Sequence, residues 1–234
     1  MSRDLVGQIA SDAYAFGLLG AAEGVRSWRR WPQEFTRKLV HIGAGLWVWG
    51  VLALFEHWYV GIIPFTSFIV LNCVFYRQKS FRAMDAADSS PGTIYFALSM
   101  ALLSALFWRT GGAPDHAPIA VAAAMAMTLG DAFAAIIGRR WGRRTYSIWG
   151  GSRRSYWGSA AMAVFSFAGI ACALLLVPGS ALSPTSQPLA PIVALGQALI
   201  AALVATAAEA VSPAGTDNLS VPLATALALF LMGL

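Results

Sequence analysis

The sequence predicts an all-α integral membrane protein, a polytopic helical bundle of about eight transmembrane helices. Of its 234 residues, 58% are hydrophobic and 12% are charged, whereas a soluble domain carries roughly 25% charged residues. Eight mostly apolar segments approach the length of about 20 residues that crosses a bilayer core of about 30 Å. This composition excludes a disordered chain and argues against an ordinary cytosolic enzyme. No polar linker divides the sequence, so residues 1–234 are expected to form a single domain.

The eight apolar segments differ in how well they match a membrane span. The first contains Asp12 and Glu23, and the fourth and the last are short for a full crossing, so seven spans remain an alternative to eight. The predicted spans are residues 5–25, 39–55, 58–76, 93–108, 117–137, 157–177, 190–211 and 219–234.

The basic residues predict how the bundle is oriented. Lysine and arginine concentrate on the cytoplasmic side of membrane proteins. Of the 16 in this chain, 14 lie between spans 1 and 2, spans 3 and 4, or spans 5 and 6. A topology of eight spans puts these three loops on one side of the membrane. We therefore expect both termini outside and a functional site that faces the cytoplasm.

Three acidic residues fall on this predicted cytoplasmic face. Asp131 lies within span 5, and because a carboxylate near the bilayer centre costs about 2.5–3.5 kcal/mol on insertion scales, we expect it to have a partner. Glu209 is at the cytoplasmic end of span 7, and Asp217 precedes span 8. Each has a simpler interpretation. Asp131 could pair with an arginine of a neighbouring loop, Glu209 could face water, and Asp217 could cap a helix.

The loop between spans 5 and 6 combines glycine, arginine and serine. Glycine lets the backbone approach an anion, arginine binds phosphate through two parallel hydrogen bonds, and helix N-termini attract anions. Together with the acidic residues, this predicts a nucleotide or phosphate site that holds Mg²⁺, which prefers carboxylate and phosphate oxygens. A basic loop that only fixes the membrane orientation is the alternative. The candidate residues are Gly138, Arg139, Gly142, Arg154, Ser155 and Gly158.

A second candidate cluster lies at the cytoplasmic entry of span 2. Lys38 and His41 are three residues apart and share a helix face. Lys38 could instead reach lipid headgroups, with His41 as an ordinary interfacial residue, and spacing alone slightly favours that interpretation. Asp85 and Asp88, between spans 3 and 4, could meet a metal ion, but we expect them to be solvated.

Four motifs follow one another along the chain. They are Arg37-Lys38-Leu39-Val40-His41, then Gly130-Asp131-Ala132 with Gly138-Arg139 and Gly142, then Ser155 with Gly158-Ser159, and finally Glu209 with Asp217-Asn218 and Pro222. In series they resemble the membrane lipid-alcohol kinases, which are the dolichol, phytol and farnesol kinases that use CTP or a related nucleotide. The resemblance covers about residues 37–222. One departure is Arg154-Ser155, where these kinases usually have Lys-Ser.

The resemblance implies a kinase that transfers the γ-phosphate of CTP, or of a related nucleotide, to the hydroxyl of a membrane isoprenoid alcohol such as phytol, farnesol, geranylgeraniol or a dolichol-like polyprenol. It implies that Asp131 and Asp217 hold Mg²⁺ and that Glu209, or Asp131, orients or deprotonates the alcohol. The glycine-, arginine- and serine-containing loop would bind the nucleotide, together with Asn218, Lys38 and His41. No nucleic-acid partner is expected, and formation of a homo-oligomer stays open.

Two other functions are compatible with the residues. The related CTP:phosphatidate cytidylyltransferases share part of the pattern and would make a CDP-lipid, although the segment from Glu209 to Asn218 is more similar to the kinases. A small ion-coupled transporter would explain Asp131 and Glu209 within helices. Against a transporter, the polar residues gather at one membrane face rather than at the midplane, and inverted repeats are not evident.

Overall fold

The computed structural model describes residues 2–29, 32–78, 92–108, 115–148, 152–213 and 215–234. Asp85 and Asp88 lie outside the described residues. In this part of the chain the elements are α1 (Arg3–Arg29), α2 (Gln33–Leu54), α3 (Trp58–Gly61), α4 (Ile63–Gln78), α5 (Gly92–Phe107), α6 (Ala117–Met125), a π-helix (Ala126–Asp131), α7 (Ala132–Trp141), β1 (Thr145–Tyr146), β2 (Arg154–Ser155), α8 (Tyr156–Leu176), α9 (Pro191–Val211) and α10 (Asp217–Leu231).

The predicted all-α class is confirmed, since each of the eight predicted spans falls on a helix or on consecutive helices. The number of membrane crossings stays a prediction. Among the described residues, four helices are long and apolar enough to cross a membrane: Arg3–Trp28, Ala117–Trp141, Tyr156–Leu176 and Pro191–Val211. Shorter apolar helices cover Trp58–Val74, Gly92–Phe107 and Asp217–Leu231.

The segment from α6 to α7 forms the centre of the bundle. In its most apolar stretch 78% of the residues are buried, whereas the share is 22–44% in the other three long helices. Buried alanines occupy positions 120 and 122–124, and their small side chains let α2, α5, α8 and α10 pack closely around this segment. Asp131, in the interior of this segment, therefore has neighbouring helices on several sides.

The central segment leaves α-helical geometry at the π-helix, which the sequence did not predict. Single turns of π-helix are rare and often occur at functional sites. Flanking helices approach it very closely: a Cβ on Gly45 of α2 would lie 1.9 Å from Thr128 Oγ1, and one on Gly130 would lie 2.2 Å from Ser166 Oγ of α8. The π-helix can therefore pack this closely against α2 and α8 only because Gly45 and Gly130 have no side chains.

Between α7 and α8 the chain forms a short antiparallel hairpin rather than a plain loop. Thr145 is opposite Ser155, and Tyr146 is opposite Arg154. The hydroxyls of Tyr146 and Ser159 are 2.6 Å apart, which ties the hairpin to the first turn of α8. The hairpin thereby fixes the positions of Arg154 and Ser155.

Candidate active site

A polar cavity lies at the end of the bundle where α2, α7, α8, α9 and α10 meet. Eleven of the twelve site residues predicted from the sequence line it, although they are spread along the chain from Lys38 to Asn218. His41 is the exception, because it lines an adjacent apolar cavity. The eleven are Lys38, Asp131, Gly138, Arg139, Gly142, Arg154, Ser155, Gly158, Glu209, Asp217 and Asn218.

Asp131, the last residue of the π-helix, is paired with α2. Its Oδ2 accepts a hydrogen bond of 2.5 Å from Lys38 Nζ, and His41 Nε2 is 3.6 Å from the same oxygen. Lys38 and Asp131 are each 6% exposed, so the ion pair is almost excluded from water. Asp131 therefore has the partner that its burial requires, and that partner is Lys38 rather than an arginine of a loop.

Arg154, on β2, lies between two carboxylates. Its Nη1 is 2.8 Å from Glu209 Oε1 at the end of α9, and its Nη2 is 3.0 Å from Asp217 Oδ2 at the start of α10. Burial opposes the charge of the guanidinium, but the two carboxylates outweigh it and hold the pKa of Arg154 above its ordinary value. The sequence predicted a phosphate contact for this arginine, and that stays a prediction; in the structure its guanidinium is paired with two acidic side chains.

Three glycines surround Ser155 at the N-terminus of α8. A Cβ would lie 2.8 Å from Ser155 Oγ if placed on Gly138, 2.6 Å on Gly142 and 2.9 Å on Gly158. Ser155 Oγ accepts a hydrogen bond of 3.0 Å from the backbone N–H of Gly158, so the serine caps α8. The glycines are needed because a larger residue would displace this cap. The N-terminus of α8 then borders the polar cavity, which suits an anion.

Glu34 joins the two arginines Arg37 and Arg139, and the sequence analysis missed it. Its Oε2 is 2.9 Å from Arg37 Nη2 and 3.1 Å from Arg139 Nη2. Partial burial favours the neutral acid, but the arginines prevail and lower the pKa of Glu34 below its ordinary value. The spacing of three residues between Glu34 and Arg37 was the available signal. Ser152, Arg153 and Ser159 also line the polar cavity.

The apolar cavity lies between α1, α2, α4 and α5, directly beside the polar one. Arg37, Lys38 and Asn218 line both cavities. His41 is on the apolar side, with its ring 4.6 Å from that of Phe96. Further wall residues of the apolar cavity include Tyr14, Leu18, Val40, Trp47, Phe65 and Phe68.

Two buried acceptor oxygens on these walls have no hydrogen bond within the described residues, Glu209 Oε2 and Asn218 Oδ1. Glu209 is 3% exposed and Asn218 is 6% exposed. Both carboxylate oxygens of Asp217, in contrast, accept hydrogen bonds: Oδ2 from Arg154 and Oδ1 from the backbone N–H of Asn218. An unpaired buried polar group costs about 1–3 kcal/mol, so a bound cation or hydrogen-bond donor would be stabilised here. Carboxylate and amide oxygens of this kind fit Mg²⁺.

The sequence is similar to proteins named phytol kinase. The phytol kinase of Synechocystis sp. is 33% identical over 197 residues, which cover 84% of this chain and 78% of the relative. The chain belongs to the phytol kinase family. Probable chloroplastic phytol kinases of Triticum aestivum and of Oryza sativa subsp. japonica are each 29% identical, over 240 and 245 residues, with 94% and 98% of this chain and 74% of each relative covered.

Membership in the phytol kinase family confirms the resemblance to membrane lipid-alcohol kinases that the four motifs indicated. The chain is accordingly an enzyme, a kinase that acts on a lipid alcohol. No family model matches the chain, and no solved structure matches it.

Proposed function

We propose that this member of the phytol kinase family transfers the γ-phosphate of CTP to an isoprenoid alcohol at the point where the polar and apolar cavities meet. The observation that carries the proposal is the wall that the two cavities share, formed by Arg37, Lys38 and Asn218. A triphosphate and a hydrocarbon chain need opposite surroundings, yet their reacting atoms must come within about 3–3.5 Å. Adjacent cavities with a common wall satisfy both requirements.

The polar cavity takes the nucleotide in this proposal. Arg139 and Arg153 offer guanidinium groups for phosphate oxygens. The capped N-terminus of α8, with Gly138, Gly142 and Gly158 around Ser155, adds backbone N–H groups and leaves room for phosphate to approach. Arg154 and Lys38 lie deeper and are paired with carboxylates. CTP is proposed as the donor from the family resemblance.

Asp131 and Asp217 would hold Mg²⁺, and the free Oε2 of Glu209 would add a further oxygen ligand. When bound, the ion would neutralise the charge on the β- and γ-phosphates. The other charges of the reaction would be balanced by side chains of the protein. Lys38 and Arg154 would stabilise charge that develops on the transferring phosphoryl group.

The apolar cavity takes the alcohol. Its hydrocarbon chain would lie among the aromatic and aliphatic side chains of α1, α2, α4 and α5. The hydroxyl would lie at the shared wall, where Asn218 Oδ1 is an unused acceptor and Lys38 is a donor. His41 lines the same end of the cavity beside Lys38.

In the transfer step, the alcohol oxygen forms a bond to the γ-phosphorus as the bond from that phosphorus to the β–γ bridging oxygen breaks. The products are a lipid phosphate and CDP. The hydroxyl proton passes to a carboxylate, for which the sequence offered Glu209 or Asp131. Asp131 lies beside the alcohol, because its Oδ2 contacts Lys38 and His41, which both line the apolar cavity. Glu209 is paired with Arg154 through Oε1 and keeps its Oε2 free to accept the proton.

The proposal is tested with purified protein, Mg²⁺, a panel of γ-labelled CTP, UTP and ATP, and isoprenoid alcohols of graded length. We expect label on the lipid, with CTP as the best donor and CDP as the second product. Pyrophosphate release with cytidine retained on the lipid would identify a cytidylyltransferase instead. Flux of a solute into proteoliposomes without nucleotide would identify a transporter.

We also propose eight membrane crossings, with both termini outside and the polar cavity facing the cytoplasm. The proposal is supported by the basic residues at the polar-cavity end of the bundle, such as Arg139, Arg143, Arg153 and Arg154. Lysine and arginine mark the cytoplasmic side.

A further inference from the structure

The apolar cavity contains a pair of stacked aromatic rings, Tyr14 of α1 and Trp47 of α2. Their centroids are 4.2 Å apart and their planes are 14° from parallel. Both residues line the cavity, and we call them the stacked pair. Resting on the function proposed above, we propose that the stacked pair limits the length of the isoprenoid chain, so that the kinase phosphorylates alcohols of farnesol to phytol size and excludes polyprenols.

Polar contacts hold both rings of the stacked pair in place. Trp47 Nε1 donates a hydrogen bond of 2.9 Å to Ser11 Oγ, and Tyr14 Oη donates one of 2.8 Å to the Gly43 carbonyl. The indole also lies against Gly50, where a Cβ would be 2.8 Å from Trp47 Cε3. A ring that turned aside to admit a longer chain would lose its half-buried hydrogen bond.

Beyond the stacked pair, toward the other end of the bundle, α1 and α2 are in direct contact. A Cβ on Gly7 would lie 2.8 Å from Phe55 Cε2. Asp4 Oδ1 at the start of α1 accepts hydrogen bonds from the backbone N–H groups of Glu56 and His57, just after α2. Among the residues that the structure describes, α1 and α2 are thus joined on the far side of the stacked pair.

The distance from the shared wall to the stacked pair matches a short isoprenoid chain. Lys38 and Trp47 are nine residues apart on α2, which is about 14 Å at about 1.5 Å per residue. An extended hydrocarbon advances roughly 1.3 Å for each carbon–carbon bond of about 1.5 Å, so about eleven bonds fit. A farnesyl chain has this length, and a phytyl chain fits when its last isoprene unit bends. A polyprenol that continued along the same line would meet the two rings.

The test compares kcat/KM for farnesol, phytol and a polyprenol, with γ-labelled CTP. Trp47→Ala removes the larger ring, so we expect the polyprenol-to-farnesol ratio to rise at least about tenfold, since one methylene in an apolar pocket is worth about 10–200-fold. Trp47→Phe keeps a ring and should leave the ratio close to that of the wild type. Trp49→Ala is the matched control, because Trp49 on the same helix contacts Met125 Sδ at 3.5 Å and does not line the cavity.

A second variant fills the cavity instead of enlarging it, and it provides the test if Trp47→Ala fails to fold. Ala44 lines the same cavity one turn before Trp47, so Ala44→Phe should shorten it and shift the preference from phytol to farnesol. Equal use of polyprenol and farnesol by the wild type, or unchanged ratios in Ala44→Phe and in a folded Trp47→Ala, would overturn the role of the stacked pair. A wild-type enzyme that labels no alcohol of any length would overturn the proposed function instead.

Discussion

The charged side chains of the polar cavity neutralise one another across the walls. Lys38 is paired with Asp131, and Arg154 with Glu209 and Asp217. Such buried pairs add little net stability, because desolvation offsets their attraction, but removing one partner is costly. A kinase needs both kinds of charge, because carboxylates bind the metal ion and cations bind the phosphates. We expect the carboxylates to turn to Mg²⁺ and the cations to phosphate when the nucleotide binds.

Asp131→Asn should abolish phosphate transfer to the alcohol. It should also destabilise the protein by about 3–5 kcal/mol, because Lys38 stays buried without a counter-ion. Adding Lys38→Met should recover most of that stability and none of the activity. Thermal unfolding and γ-phosphate transfer, measured on the same detergent-solubilised samples, separate the two effects.

Asp115→Asn is the control for the Asp131 variants. Asp115 is also a buried carboxylate, but it accepts hydrogen bonds from Ser183 and from the backbone of Ala117, away from the polar cavity. This variant should keep its activity per folded molecule. Near-wild-type turnover by Asp131→Asn would contradict the role proposed for Asp131.

Arg154→Ala should raise the KM for the nucleotide more than the KM for the alcohol. A hydrogen bond to a charged group is worth about 1.5–3 kcal/mol, which corresponds to roughly 10–150-fold. Arg143→Ala removes an exposed arginine of the same hairpin region that does not line the polar cavity, and should leave both KM values unchanged. Steady-state kinetics with each substrate varied in turn would check this. A larger effect on the alcohol would argue against a nucleotide contact.

At the scale of elements, the π-helix decides where Asp131 lies. It is enclosed between Gly45 of α2 and the Met162–Ser166 face of α8. Ser166 Oγ also donates a hydrogen bond of 3.2 Å to the Ala126 carbonyl at the first residue of the π-helix. The position of the carboxylate therefore depends on packing several residues away from it.

Gly130→Ala should lower kcat, because its Cβ would lie 2.2 Å from Ser166 Oγ and 2.7 Å from Met162 Sδ. Overpacking of this kind costs about 1–3 kcal/mol, and a displacement of about 1 Å in a catalytic group can cost about 100-fold in rate. Gly130→Ala/Ser166→Ala should recover part of the loss, since it removes the nearest atom. Gly196→Ala on α9, where a Cβ meets nothing within 4 Å, is the control.

The whole molecule puts two chemically opposite cavities side by side. The apolar cavity lies within the bundle, among helices that also carry the hydrophobic surface of the protein. The polar cavity is at one end, where water-borne nucleotide would enter. In the proposed function, a membrane alcohol would stay among the apolar side chains while its phosphate donor stays in water, and the two would react at the shared wall.

The proposed orientation predicts which positions react with a membrane-impermeant thiol reagent in intact cells. The background variant replaces Cys73 and Cys172, the two cysteines of the chain. Gln187→Cys, on an exposed segment before α9, should be labelled from outside, whereas Arg143→Cys should be labelled only after permeabilisation. The reverse pattern would place the polar cavity outside and contradict a site supplied with cytoplasmic nucleotide.

The helical class, the approximate positions of the helices and the family could all be predicted from the amino-acid sequence. The length of an apolar segment and the spacing of basic loops are local properties of the sequence. Residues 157–177 could therefore be predicted as a span, and they form α8 (Tyr156–Leu176). The four motifs could also be recognised in the sequence, because each occupies a short stretch of chain. Of the twelve site residues predicted from the sequence, eleven line one cavity.

The ion pairs of the site and the contact between the two cavities could be seen only in the folded bundle. Lys38 and Asp131 are 93 residues apart and Arg154 and Asp217 are 63 apart, so no local pattern indicates either contact. The π-helix depends on Gly45 of α2, on its own Gly130 and on the side chains of α8. Tyr14 and Trp47 look like ordinary apolar-span residues until α1 packs on α2 and stacks them. Each of these features depends on side chains brought together by helix packing, and that is a property of the assembled bundle.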